Sequence, residues 1–300
     1  MKTLSMKRLL SLAVTALTLC LCSLAHAVTV EDSKGRFSLD YTPKRIVVLE
    51  FSFADALAAV GVSPIGIADD KDPQRVLKQV RDIIGDFQSV GTRSQPSLEV
   101  IASLKPDLII ADIGRHEGVY DDLKKIAPTL ILPSRRETYE DNLKAAATIG
   151  KVIGKDQEMQ ARLTKHKNLM QGYAKQLPNN AEVQFTVARK DDLFIHTADS
   201  YAGGVIHALG LKNPELNRSD KQASRQIGLE QLLAIDPDYL VVGEYVTPNI
   251  INKWQNEPLW SVLQVARNHR VYRVDGNVWA RCRGIMAAES MAEDLVKVFN

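Results

Sequence analysis

Five arginines stand within seven residues of the ends of candidate strands, where a bound ligand could meet them. Arg93 follows Ser89-Val90, Arg115 follows Leu108–Ala111, and Arg136 closes the run Pro133-Ser134-Arg135-Arg136 after Leu130–Leu132. Arg189 follows Gln184–Ala188, and Arg281 opens Arg281-Cys282-Arg283 after Val271–Val274. Continuous apolar runs such as Leu108–Ala111 predict strands covered on both faces, as in parallel sheets. Ligands of open α/β sheets bind just beyond the carboxyl ends of such strands. Five guanidiniums facing one cleft would suit a compact anion rich in carboxylates, because arginine keeps its charge and binds carboxylate bidentately. Taken singly, each reads more simply as a solvated surface cation; the joint pattern carries the inference. Aromatic residues follow or precede other runs: Phe51, Phe53, Tyr201, Tyr245 and Trp279. They could wall the cleft, although core packing is the simpler role for Phe51 and Phe53.

The other reactive groups assemble no reaction centre. His116, His166, His196, His207 and His269 are dispersed and form no H-x-x-x-H or H-E-x-x-H spacing. No metal site built from protein ligands is therefore expected. Glu50, Asp69-Asp70, Asp112 and Asp191-Asp192 read as solvated loop or helix-cap carboxylates. There is no G-x-S-x-G, no phosphate-cradling glycine loop and no C-x-x-C, so an enzyme is not expected. Gly203-Gly204 reads as a tight strand-to-helix turn.

The elements that must position these residues repeat across the chain. Leu98-Glu99 leads through a short helical stretch to Pro106-Asp107 and an apolar strand, and Leu229-Glu230 leads through another to Pro237-Asp238 and a strand. The spacing from glutamate to proline is the same in both. Two copies are too few for a solenoid and suit two similar lobes with a cleft between them. Strands alternate with helices over residues 28–137 and again over 179–300, where a last helix spans Ile285 to Phe299. Between the lobes, residues 138–178 predict one connecting helix. Tyr139 to Leu177 holds no proline and carries apolar residues at helical spacing, with Thr138 and Asp141 as its cap and Pro178 as its stop. Continuous, it would be about 55 Å long at ~1.5 Å per residue. Gly150 and Gly154 each cost about 1 kcal/mol inside a helix and mark where it would bend or break.

Residues 1–27 read as a cleavable leader. Lys2, Lys7 and Arg8 precede an apolar run from Leu9, and Ala25-His26-Ala27 forms a small-x-small site for cleavage after Ala27. Cys20 and Cys22 are each preceded by leucine, which does not suit lipid attachment. Export without an anchor points to the periplasm of a two-membrane bacterium. The formal net charge of +2 loses three cations with the leader, leaving the mature chain near −1. That balance offers no general attraction for nucleic acid or acidic membranes. Only Cys282 then remains, and an unpaired thiol in an oxidising compartment is most simply buried.

With these features in place, the chain resembles the helical-backbone class of periplasmic substrate-binding proteins of ABC transporters. The leader, the lobe–helix–lobe order and the paired Leu-Glu…Pro-Asp phrases carry that resemblance. Glu50-Phe51-Ser52-Phe53-Ala54-Asp55-Ala56-Leu57, Ser89 to Arg93, Gln95 to Glu99, Ile227 to Ala234 and Trp279-Ala280-Arg281 are similar to its ferric citrate branch. The similarity extends over nearly the whole mature chain. It implies two Rossmann-like α/β lobes joined by a single long α-helix, with the ligand cleft between them. The implied ligand is an iron(III) citrate complex, held through its citrate shell, with no resident cofactor. Arg93, Arg115 and Arg281 are the implied anion contacts, and Arg136 and Arg189 weaker ones. Tyr201, Tyr245 and Trp279 would complete the walls, with Tyr201 standing where the branch carries tryptophan. Glu99 and Glu230, one per lobe, would dock onto arginines of an inner-membrane permease with two transmembrane subunits and ATPase subunits. The working unit would be a monomer. Another carboxylate siderophore, haem or cobalamin are the alternative ligands of the class.

Overall fold

A computed structural model describes residues 27–214 and 222–299. Of the leader reading, residues 1–27, all but Ala27 lie outside the described residues. The chain opens with an antiparallel hairpin, β1 (Val28–Asp32) with β2 (Gly35–Leu39). The first sheet comprises β3 (Ile46–Val48), β4 (Gly66–Ile67), β5 (Gln88–Ser89), β8 (Leu108–Asp112) and β9 (Thr129–Leu132). Their order is β5-β4-β3-β8-β9 and every pair is parallel. A small hairpin, β6 (Gly91–Thr92) with β7 (Gln95–Pro96), carries Arg93 at its tip. The second sheet comprises β10 (Val183–Ala188), β11 (Leu193–His196), β12 (Ser224–Ile227), β13 (Tyr239–Glu244) and β14 (Val271–Asp275), in the order β12-β11-β10-β13-β14. Here β10, β13 and β14 are parallel, while β11 and β12 run antiparallel.

Alternation along these strands divides each lobe into two cores. Ile46, Val48, Leu108 and Ile110 face one side of the first sheet, and Val47, Leu49, Ile109 and Ala111 face the other. Successive side chains of a strand point to opposite faces, so an unbroken apolar run feeds both layers. In each sheet the earliest strand, β3 or β10, is central, and later strands add on both sides. A crevice at the carboxyl ends of β3 and β8, and of β10 and β13, follows from that order.

Four helices complete the frame of the cleft in the first half and its exit: α1 (Phe51–Ala58), α2 (Leu98–Ser103), α3 (Tyr139–Val152) and α4 (Asp156–Ala174). The continuous helix expected from Tyr139 to Leu177 is broken between α3 and α4, where Gly154 adopts φ +71°. The reason lies in packing. Ala145, Ala146, Ile149 and Val152 of α3 bury into the same core as Met159 of α4, so the chain must reverse. Gly150 allows the reversal, since a Cβ there would lie 2.5 Å from the Met159 Cβ. The helix that joins the lobes is therefore α4 alone, with 19 residues and about 28 Å of length at ~1.5 Å per residue. Met159 at one end is in the first lobe's core and Met170 near the other is in the second's.

The second lobe adds α5 (Tyr201–Ala208), α6 (Leu229–Ile235) and the last helix, α7 (Ile285–Phe299). Both glutamate phrases form the expected helix-then-strand pairs, α2 before β8 and α6 before β13. Gly203 and Gly204 lie inside the first turn of α5, not in the turn before it. A Cβ on Gly203 would sit 2.1 Å from the Thr197 carbonyl oxygen, and one on Gly204 would sit 2.8 Å from the Tyr139 Cβ. The last helix serves both lobes. Ile285 and Ala287 pack in the first core, and Met291, Ala292 and Leu295 in the second. Its start is held by Asp55 of α1, whose carboxyl oxygens accept the backbone N–H groups of Ile285, Met286 and Ala287 at 2.8–3.1 Å. Glu289 on α7 accepts both Arg162 nitrogens of α4, at 2.8 and 2.7 Å. His166 Nδ1 donates to the same carboxylate at 2.8 Å, which leaves Nε2 for the Tyr139 hydroxyl.

Candidate ligand site between the lobes

A cavity of about 280 Å³ opens between the two sheets at their carboxyl ends. Arg115, just after β8, and Arg135, Arg136 and Glu137, in the loop after β9, form the wall from the first lobe. Arg189 after β10, Phe194 and His196 of β11, and Tyr245 after β13 form the opposite wall. Trp279 and Arg283 come from the strap that crosses beneath, whose Asn277–Arg281 segment is a single π-helical turn. Such turns are rare and are frequently found at functional sites.

The floor is an ion cluster. Glu50, two residues after β3, is fully buried. Its carboxylate meets Arg115 Nε at 2.5 Å, Arg283 Nη2 at 3.1 Å and Arg93 Nη1 at 3.6 Å. Arg93 is 5 % exposed and lies under the cavity instead of lining it. Its Nη2 and Nε reach Asp70 Oδ2 at 2.7 and 3.1 Å, and its guanidinium lies 4.1 Å above the Phe51 ring. Burial works to raise the Asp70 carboxyl, but the Arg93 hydrogen bonds and charge, helped by Arg75, hold it down at about 2. Arg93, expected as an anion contact, is thus paired with the protein's own carboxylates and does not line the cavity. Glu50, Asp69 and Asp112 are equally not solvated loop residues; all three are fully buried. A buried carboxylate requires matching charge or hydrogen bonds, and Glu50 and Asp70 find guanidiniums. Asp112 instead accepts the backbone N–H groups of Ser134 and Arg135, at 2.8 and 3.1 Å, and so fixes the loop that presents Arg135 and Arg136. Burial, and then the neighbouring Glu50, push the Asp112 carboxyl above its ordinary value.

On the far wall the arginines rest on aromatic faces. Arg189 lies 4.5 Å from the Phe194 ring centre and Arg281 4.0 Å from that of Tyr245. Stacking of this kind steadies a guanidinium without cancelling its charge. Arg281 stands behind Tyr245, outside the cavity lining. Burial, and then Arg283, lower His196 to about 4, so its imidazole is neutral at neutral pH. Tyr201 and Trp279 present rings only. The Tyr201 hydroxyl donates to the Gly284 carbonyl at 2.5 Å and accepts the Gly284 N–H at 3.0 Å. Trp279 Nε1 donates to Asp294 at 3.0 Å. Neither polar group is available to a ligand, so these two expected contacts reduce to apolar surface. Phe51 and Phe53 are buried in the core, and Cys282, within the strap, is buried as well.

The cavity therefore brings together Arg115, Arg136, Arg189, Tyr201, Tyr245 and Trp279 of the expected set. It leaves out Arg93 and Arg281 and adds Arg135, Arg283, Phe194 and His196. Two of the additions neighbour the residues first chosen, since Arg135 precedes Arg136 and Arg283 lies two residues after Arg281. Among the described residues, Arg135, Arg136 and Arg189 form no ion pair with a carboxylate, unlike Arg115 and Arg283. Glu99 and Glu230 are exposed in the first turns of α2 and α6, away from the cavity lining. Among the described residues no three His, Cys, Asp or Glu side chains converge to hold a metal ion.

Residues 46–278 match the family model described as periplasmic binding protein. The chain is 53% identical over 282 residues to the Fe(3+) dicitrate-binding periplasmic protein FecB of Escherichia coli (strain K12), covering 94% of this chain and 93% of that one. It is 42% identical over 274 residues to the Fe(3+)-citrate-binding protein YfmC of Bacillus subtilis (strain 168), covering 90% and 86%. Its fold is similar to that of Staphylococcus aureus SirA complexed with staphyloferrin B, with a TM-score of 0.77 at 24% identity over 90% of this chain and 98% of that one.

Proposed function

The chain belongs to the periplasmic binding protein family, and from that premise we propose that it captures an iron(III) citrate complex and delivers it to an inner-membrane ABC importer. The observation that carries this reading is a cleft walled by five arginines, three of which meet no carboxylate of the protein among the described residues. Citrate wraps iron with its oxygens and turns the remaining carboxylate edges outward. Arg135 and Arg136 on one wall and Arg189 on the other are placed to take those edges as charge-assisted pairs. Burial raises the Tyr245 hydroxyl above its ordinary value, so it stays protonated and can donate to the same ligand. The iron is cargo held through its chelator, and no resident cofactor and no chemical step are required. Two relatives named for Fe(3+)-citrate binding support this ligand class.

The rest of the reading follows the same premise. The leader is removed after Ala27 and the mature protein works as a monomer in the periplasm. Glu99 and Glu230, exposed at matching places of the two lobes, meet the permease. Haem or cobalamin on the same scaffold would need a broad apolar slot, which five arginines around about 280 Å³ do not provide. The test is calorimetric titration of the leader-less protein with ferric citrate, haemin and cobalamin. Ferric citrate is expected to bind and the two macrocycles are not. Haemin or cobalamin binding in preference to ferric citrate would overturn the assignment.

A further inference from the structure

Arg281 does not line the cavity, yet it is tied to a residue that does. Its guanidinium lies 4.0 Å from the centre of the Tyr245 ring and, among the described residues, forms no ion pair with a carboxylate. The backbone that carries it is seated on the first lobe. Arg93 Nη1 donates to the Arg281 carbonyl at 3.4 Å, and Asn277 Nδ2 and Cys282 Sγ donate to the Arg75 carbonyl at 2.8 and 3.4 Å. Tyr245 follows β13 of the second lobe and lines the cavity. The stack therefore joins a strap held by one lobe to a ligand-facing ring of the other. Among the described residues the Tyr245 hydroxyl has no hydrogen-bond partner, unlike that of Tyr201, which is spent on Gly284. Burial raises the Tyr245 phenol, and four guanidiniums oppose the rise, Arg281 foremost, then Arg93, Arg189 and Arg283. A cation beside a phenol favours its charged form, which makes the neutral hydroxyl a stronger donor.

Resting on the ferric citrate reading of this cleft, we infer that Arg281 is a positioning residue, which touches no ligand and acts through Tyr245, steadying its ring against the cleft and strengthening its hydroxyl as a donor to a ligand carboxylate. The role differs from that of a direct anion contact in one measurable respect. Whatever Arg281 adds to binding through Tyr245 must disappear when the hydroxyl does.

The test is a double-mutant cycle, with ferric citrate titrated calorimetrically into the leader-less protein and its Tyr245→Phe, Arg281→Met and doubly substituted forms. Tyr245→Phe should weaken binding about tenfold or more, the loss of a hydrogen bond to a charged group. Arg281→Met should cost at least about threefold more with the hydroxyl present than in the Tyr245→Phe background, which measures only the general pull of one cation on an anion. Equal losses in the two backgrounds would mean a direct contact or a purely structural role and would overturn the inference, as would no loss in either. Arg281→Gln, also uncharged, supplies a second variant with the same expected coupling should Arg281→Met fail to fold. A further measurement needs no ligand. The phenolate absorbance on alkaline titration, taken as the difference between proteins with and without Tyr245→Phe, isolates the Tyr245 hydroxyl. Arg281→Met should move that titration to higher pH by about 0.5 or more, because the phenolate loses its nearest cation; an unmoved titration would overturn the inference. Failure of the unaltered protein to bind ferric citrate would defeat the ligand reading, and the phenol titration would still decide whether Arg281 acts on Tyr245.

Discussion

The carboxyl of Asp55 should make the stability of this protein fall as the medium turns from acidic to neutral. It is wholly enclosed where α1 meets the start of α7, and burial raises it from the ordinary 3.8 to about 7 despite the backbone N–H groups of Met286, Ala287 and Ile285. An acid whose folded value exceeds its unfolded value holds its proton longer in the native state. The native protein then binds more protons than the unfolded chain between those two values, and stability declines with rising pH. The contribution is fully present below about pH 3.8 and is lost as the pH passes through about 7. The slope is about 1.4 kcal/mol per pH unit, and the whole span about 4 kcal/mol. Asp55→Asn removes the titration and keeps the shape. Urea unfolding of both proteins at intervals from pH 4 to 8 isolates the group, because every other titration cancels in the difference between them. Wild-type stability should fall relative to the variant by about 2–4 kcal/mol over that range. A difference that does not vary with pH would refute the reasoning, and would mean that the amide donors at the helix start outweigh burial.

Four further outcomes follow from the site and the frame. Arg135→Ala and Arg189→Ala should each weaken ferric citrate binding by about 1.5–3 kcal/mol, the range for a lost hydrogen bond to a charged group, as measured by calorimetry. Arg93→Ala should instead cost about 3–5 kcal/mol of folding stability in urea, because it takes from Asp70 its closest guanidinium and from Glu50 one of three; wild-type stability would contradict the placement of Arg93 beneath the cavity. Small-angle scattering with and without ferric citrate should show only a slight change in radius of gyration, since α4 and α7 both cross between the lobes and are clamped by Arg162 and Glu289; a large compaction would disprove the clamp. Glu99→Arg combined with Glu230→Arg should leave ferric citrate binding intact in solution and abolish its uptake by cells, because like charges would then face the permease; normal uptake would remove both glutamates from the docking surface.

Much of the frame was legible because burial on both faces writes itself as unbroken apolar runs. Leu108–Ala111, Gln184–Ala188 and Tyr239–Val242 are strands where the pattern put them, and the last helix spans Ile285–Phe299. Two-residue β4 is too short for any period, and β12, Ser-Arg-Gln-Ile, is a polar edge strand without an apolar run. Helical spacing could not distinguish one long helix from two that fold back, since α3 and α4 present the same period on either side of Gly154. In the site, strand ends located the arginines to within two residues. Which guanidinium faces the cavity depends on the turn that follows the strand, and that turn leaves no periodic trace. The carboxylates were misjudged for a different reason. Glu50, fully buried, pairs with Arg93, Arg115 and Arg283, and Asp70, partly buried, pairs with Arg93, partners distant in the chain and adjacent only after folding.

The double service of α7 has a consequence for how the chain comes into being. Its first turn completes a core whose other members begin before residue 50, and the hydrogen bond from Ile285 to Asp55 spans 230 positions. The first lobe cannot close until nearly the last residues have emerged, however early its own strands are made. Contacts at such separation form late, since the loop they close must be ordered first. A nascent chain of this design stays loose and threadable until translation is almost complete, the condition under which a polypeptide can pass a membrane before it folds. Loss of the final helix should, by the same logic, leave both lobes open to proteases instead of releasing one intact half.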